Sequence, residues 1–105
     1  MKPAAFPEVV LQLRIEIREI QPAIFRVIQV MNTRTFHLLH EIIQYAFGWD
    51  NKHLYQFDVG PTEVSEPDPG FPSAARRRHP RTTRLGDLLS RDVTRFTYTY
   101  DFRDE

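Results

Sequence analysis

From Val9 onward the chain alternates strictly: Leu11, Leu13, Ile15 and Ile17 on one side, Gln12, Arg14, Glu16 and Arg18 on the other. Period two with one apolar face predicts a half-buried β-strand. Glu19 to Ala23 breaks the run, and Pro22 has no N–H to give a ladder, so a turn belongs there. Ile24 to Val30 is rich in β-branched and aromatic residues and predicts a second strand, antiparallel to the first across so short a gap.

The period then changes. Phe36, Leu39, Ile43, Ala46 and Phe47 recur at helical spacing; Leu38, Ile42 and Tyr45 widen the stripe, leaving His37, Glu41 and Gln44 as a narrow polar side. Thr35 is placed to cap this helix and Gly48 to end it in a left-handed conformation, with Trp49 folding back onto the core. Asp50-Asn51 signals a turn, and His53 to Val59 predicts a third strand.

Gly60 to Arg84 has no apolar period, carries Pro61, Pro67, Pro69, Pro72 and Pro80, and reads as an exposed, largely mobile insertion. Leu85 to Leu89 predicts a short helical turn, with Thr83 as its cap. Arg95 to Phe102 predicts a fourth strand with Phe96, Tyr98, Tyr100 and Phe102 on one face.

These elements predict an α+β fold: a mostly antiparallel sheet of about four strands packed on one main helix. The expected core is Leu13, Ile15, Phe36, Leu39, Ile43, Phe47, Trp49, Phe57, Tyr98 and Tyr100. A length of 105 residues with 41% hydrophobic content fits one folded domain over 1–105. The absence of cysteine excludes disulfides and thiolate zinc sites. A formal net charge of zero gives no global attraction to nucleic acid. No apolar run approaches the ~18 residues of a membrane span, and the N-terminus lacks the apolar core of a secretory signal. A cytoplasmic protein with no cofactor and no membrane partner is the expectation.

Four segments carry a family resemblance: LQLRIEIREIQPAIFRVIQV at 11–30, TFHLLHEIIQYAFGWDNKHLYQF at 35–57, TTRLGDLL at 82–89 and FTYTYDFRDE at 96–105. In order and spacing they resemble the Ri-plasmid ORF-three-like proteins, also called insertion-element passenger TnpR proteins. The GWDN-x-HLYQF element is the most specific. The resemblance implies a small α+β domain associated with mobile elements. The TnpR label suggests a resolvase, but no serine-recombinase motif is present. Arg103-Asp104 stands where the family has Gly-Asp. The resemblance further implies that relatives continue for several dozen residues beyond this point, so this chain is shorter at its C-terminus. The fourth strand is then expected to lack a neighbour and to self-associate through 95–102.

Candidate chemistry is sparse. His37 and His40 lie one turn apart on the helix, beside Glu41, with His53 after the Trp-Asp turn. Imidazoles with a carboxylate can bind zinc, although the spacing matches no metal signature and ordinary hydrogen bonding is the plainer reading. Asp50 could orient His53 as a general base, with His40 and Asp101 completing a metal-dependent hydrolase; no motif places a Ser, Cys or Lys nucleophile, and turn capping by Asp50 explains that residue as well. Arg76, Arg77, Arg78, Arg81 and Arg84 form the one basic cluster, able to neutralise phosphates or to balance Glu63, Glu66 and Asp68 upstream. Tyr98 and Tyr100 could stack on bases, and Trp49, Phe47, Tyr55 and Phe57 could line a ligand pocket; packed core is the plainer reading of both groups. A non-enzymatic interaction module is the leading expectation, with a nucleic-acid accessory protein as the alternative.

Overall fold

The computed structural model describes residues 6–51, 53–67 and 76–100. Eight elements run in order: β1 (Val10–Glu16), β2 (Phe25–Met31), α1 (Phe36–Phe47), β3 (Tyr55–Val59), β4 (Thr62–Val64), β5 (Arg76–Arg78), α2 (Leu85–Leu88) and β6 (Thr97–Tyr100). The mixed α+β class holds. The strands form two sheets, however: an antiparallel pair β1-β2 and a four-stranded sheet in the order β5-β4-β3-β6.

The β1-β2 pair is in the register the alternation requires, from Val10 opposite Met31 to Glu16 opposite Phe25. Leu11, Leu13 and Ile15 turn inward with Ile28 and pack against the main core. Gln12, Arg14 and Glu16 face solvent together with Phe25 and Val27.

Helix α1 covers the four-stranded sheet. Its buried residues are Phe36, Leu39, His40, Ile43 and Gln44, which is the i, i+3, i+4, i+7, i+8 stripe of a helix on a sheet. The stripe is rotated from the expected one: Gln44 is buried, and Tyr45 is 90% exposed. Pairing of Tyr98 with Phe57 and of Phe57 with Val64 lays these three side chains in one row beneath the helix. Phe36 meets Phe57 edge-on at 5.1 Å between ring centres, a favoured aromatic geometry.

The reading of 60–84 as a mobile insertion is corrected by the structure over 60–67 and 76–84; residues 68–75 lie outside the described residues. Thr62–Val64 and Arg76–Arg78 are strands, paired in parallel, and Ser65, Pro80 and Thr83 are buried. The segment 80–84 also closes the start of α1. A helix leaves its first N–H groups without internal partners; here Phe36 N donates to Thr83 O at 3.1 Å, His37 N to Pro80 O at 3.0 Å, and Leu38 N to the Thr35 hydroxyl at 3.1 Å. Thr83 therefore does not cap α2; the backbone N–H of Arg84 donates to the Asp87 carboxylate at 2.8 Å instead.

Gly48 ends α1 with φ 71, as expected. Trp49 does not enter the core: it is 38% exposed and stacks between Phe47 and Tyr100. The third strand begins at Tyr55 rather than His53, and the fourth is described over Thr97–Tyr100, with 101 and 102 outside the described residues.

Asn32 ties the N-terminal segment down. It is buried, accepts from Val9 N at 3.0 Å and donates to Pro7 O at 2.8 Å, while Gly86 N donates to its carbonyl at 2.9 Å. A Cβ on Gly86 would overlap the Phe6 ring, so only glycine lets that ring lie on α2. Gly86→Ala should displace Phe6 and cost about 1–3 kcal/mol in urea unfolding. Adding Phe6→Ala to it should cost little more, because the contact is already gone.

Candidate functional site

The polar residues of the α1 stripe, His40 and Gln44, meet the turn after the helix and the inner face of β6. Asn51 N donates to Gln44 Oε1 at 2.9 Å. Gln44 Nε2 donates to the Tyr98 hydroxyl at 2.8 Å. That hydroxyl lies 2.7 Å from His40 Nδ1, and His40 Nε2 lies 2.5 Å from Asn51 Oδ1. The four contacts close a ring.

One proton arrangement gives every member of the ring a partner within it. A backbone N–H can only donate, which fixes the Gln44 amide with its NH2 toward Tyr98. Tyr98, already accepting there, donates to His40 Nδ1. His40 must then carry its proton on Nε2 and donate to Asn51. The imidazole is neutral, and Tyr55 stacks on it at 3.6 Å with planes 7° apart. Burial lowers the His40 pKa below 6.5, outweighing the Asn51 hydrogen bond that favours the charged form. Burial also pushes the Tyr55 and Tyr98 phenols upward, keeping both protonated.

The expected metal candidates are only partly brought together. His37 and His40 have ring centres 5.8 Å apart, but both His40 nitrogens are engaged in the ring. His37 Nδ1 meets the Tyr55 hydroxyl at 2.8 Å, and its Nε2 lies 3.4 Å from Glu41. Among the described residues no group of three or more His, Asp or Glu could hold a metal ion.

The hydrolase candidates gather around Tyr100. Its hydroxyl donates to Asp50 Oδ1 at 2.9 Å, the His53 ring meets it edge-on at 5.7 Å, and the His40 ring centre is 6.3 Å away. Asp101 lies outside the described residues.

The arginine cluster is divided. Along β5 the side chains alternate, so Arg77 points opposite to Arg76 and Arg78. Arg77 Nε approaches Glu63 Oε2 at 3.4 Å, where Glu63 also accepts from the Ser65 hydroxyl at 2.6 Å. Arg81 pairs with Glu66 at 3.4 Å in an exposed contact. Arg76 and Arg78 are exposed, and Arg84 sits at the start of α2.

The chain as a whole is similar to known proteins. The model of the plasmid pRiA4b ORF-3-like protein family matches residues 9–105. The chain belongs to that family. It is 32% identical over 98 residues to the uncharacterized protein y4hQ of Sinorhizobium fredii (strain NBRC 101917 / NGR234), covering 90% of this chain and 48% of that protein. It also resembles the crystal structure of MM3350, a protein of unknown function from Methanosarcina mazei Go1, with a TM-score of 0.79 and 27% identity over 93% of this chain and 55% of that one. The chain thus spans about half the length of the relatives it matches. Membership of the ORF-3-like family fixes the fold; neither relative carries an assigned activity.

Sequence reasoning missed Gln44 and Asn51. The signal was present in the spacing: Phe36, His40 and Gln44 recur every four residues, on the same face as the apolar stripe.

Tyr98→Phe should cost about 1–3 kcal/mol, because it leaves the buried His40 Nδ1 and Gln44 NH2 without a partner; Tyr45→Phe, at an exposed position, should be neutral by the same denaturant titration. The His40 shift also sets a pH dependence. The folded pKa is lower than the unfolded one, so the unfolded state binds more protons between the two values. Stability should be complete above about 6.5 and fall as pH drops from there toward the folded pKa, and His40→Gln should flatten that slope.

Proposed function

We propose that this protein is an interaction module without catalytic activity of its own, and that it associates through the edge strand β6, first with a second copy of itself. The observation that carries this reading is the difference between the two edges of one sheet. Among the described residues β5 and β6 are the two edge strands of the four-stranded sheet. β5 is three consecutive arginines, and charge on a short edge strand is a common guard against further pairing. β6 is Thr-Tyr-Thr-Tyr, uncharged and alternating. An antiparallel pair of such strands centred on Thr99 sets Thr against Thr and Tyr98 against Tyr100, both favourable cross-strand pairs. Strand addition of this kind supplies affinity through main-chain hydrogen bonds.

The polar groups near β6 support a binding role over a catalytic one. His40 has both nitrogens engaged in the ring, and Asp50 holds the Tyr100 hydroxyl. The description of the family as a plasmid reading frame supports a cytoplasmic, mobile-element setting. Among the described residues no helix is long and apolar enough to cross a membrane.

A nucleic-acid accessory role is the second reading. It is favoured by Arg76, Arg78, Arg81 and Arg84 and weakened by the Glu63 and Glu66 carboxylates interleaved with them.

Sedimentation velocity at tens of micromolar should show a dimer for the wild-type chain and a monomer for Thr97→Lys/Thr99→Lys, with matching circular dichroism. A wild-type chain that stays monomeric would remove the self-association reading. Fluorescence anisotropy with duplex DNA, from low to physiological salt, separates the second reading: tight, steeply salt-dependent binding lost in Arg76→Ala/Arg78→Ala would bring it forward.

A further inference from the structure

Strand β6 is held on its inner face by two hydroxyls. Tyr98 is bonded into the buried ring, and Tyr100 donates to Asp50 in the same turn that supplies Asn51. His40 is thus the point where α1, the turn at 49–51 and β6 join, and it is 2% exposed.

The ring tolerates one protonation state. An imidazolium must donate from both nitrogens. Its Nδ1–H would then point at a Tyr98 oxygen that already accepts from Gln44, and the Tyr98 hydroxyl proton would lose its acceptor. No rotation of the Gln44 amide relieves this, because the Asn51 backbone N–H holds its oxygen in place. Either the charge remains buried against a surplus donor or Tyr98 leaves.

We propose that the His40 ring is a proton-operated latch: protonation of His40 frees Tyr98, and so releases the inner face of β6 from helix α1, while the Asn51 bond is kept. As regulation of the β6 interface, this rests on the reading of β6 given above; the release itself does not. Acidification opens the latch, and the edge strand loses the seat that keeps it in register for a partner.

The groups facing His40 from each side are consistent with this direction. His37 on α1 opposes a second positive charge, while Glu41 on α1 and Glu66 after β4 favour it. Tyr55 on β3 stacks on the ring, and Tyr98 and Tyr100 on β6 complete the surround. Arg81 lies near Tyr55 and pairs with Glu66, offsetting that carboxylate. Desolvation outweighs the two acids, and the neutral form is the one that fits.

The test is amide hydrogen exchange by NMR between pH 7.5 and 5.5, read as protection factors so that intrinsic exchange cancels. The β6 amides bonded to β3 should lose protection by about tenfold per pH unit from about 6.5 down to the closed-state pKa. Amides of the β1-β2 pair serve as the internal reference and should stay constant. His40→Gln offers one acceptor and one donor but cannot take a proton, and should abolish the pH response. Protection that does not change with pH in the wild-type chain, or that falls equally in β1-β2 and β6, overturns the latch. Should His40→Gln not fold, the wild-type imidazole is titrated by its ring proton shifts: its midpoint must coincide with the loss of β6 protection, and a mismatch overturns the proposal. Sedimentation at both pH values separates the two readings. Selective loss of β6 protection in a chain monomeric at both values keeps the latch and removes the interface.

Discussion

A buried imidazole is acceptable only where both nitrogens have partners, and His40 meets that demand with partners from two separate parts of the chain. One comes from the turn eleven residues on, the other from β6, fifty-eight residues on. Leaving such groups unpaired costs on the order of 1–3 kcal/mol each, so the requirement fixes the rotation of α1 about its axis. Once His40 and Gln44 face inward, Tyr45 must face out and Phe36, Leu39 and Ile43 must meet the sheet. Gly48 and Asn51, both with positive φ, bend the chain sharply enough for the Asn51 backbone to return to Gln44.

The arginine-rich segment takes a structural role of a different kind. Its carbonyls at Pro80 and Thr83 receive the first N–H groups of α1. Partial negative charge at a helix N-terminus is favourable, and the same contacts hold β5 beside β4 by anchoring the chain just beyond it. The acidic residues upstream are the matching half: Glu63 and Glu66 meet Arg77 and Arg81 across the parallel pair. Opposite charges separated along the sequence here are neighbours in the fold.

Legibility in the sequence depends on which forces are local. The β1 alternation, the Thr35 cap, the Gly48 stop and the Thr-Tyr strand depend on residues a few positions apart, and all are visible there. β4 and β5 are not, because three residues such as Thr-Glu-Val or Arg-Arg-Arg carry no periodicity and become strands only when a neighbour is present. The expected burial of Trp49 fails for a related reason: a large apolar residue after a helix stop has several surfaces to meet, and here Phe47 and Tyr100 hold it at the periphery. His40 and Asp50 stand out in the sequence as polar residues of interest, but their partners Tyr98 and Tyr100 lie beyond the reach of any local pattern.

The unequal edges of the four-stranded sheet bear on how far assembly can go. A template usable along one side is consumed by its first partner. Two copies joined along β6 as proposed would turn the arginine-bearing β5 strands outward, and like charges meeting there would repel a third copy. The two-fold relation of such a pair would also close the set, since each copy would have spent the surface it shares. Fibre growth needs two complementary sides on every unit; in that assembly this sheet, capped by charge at one end, would act as its own stopper.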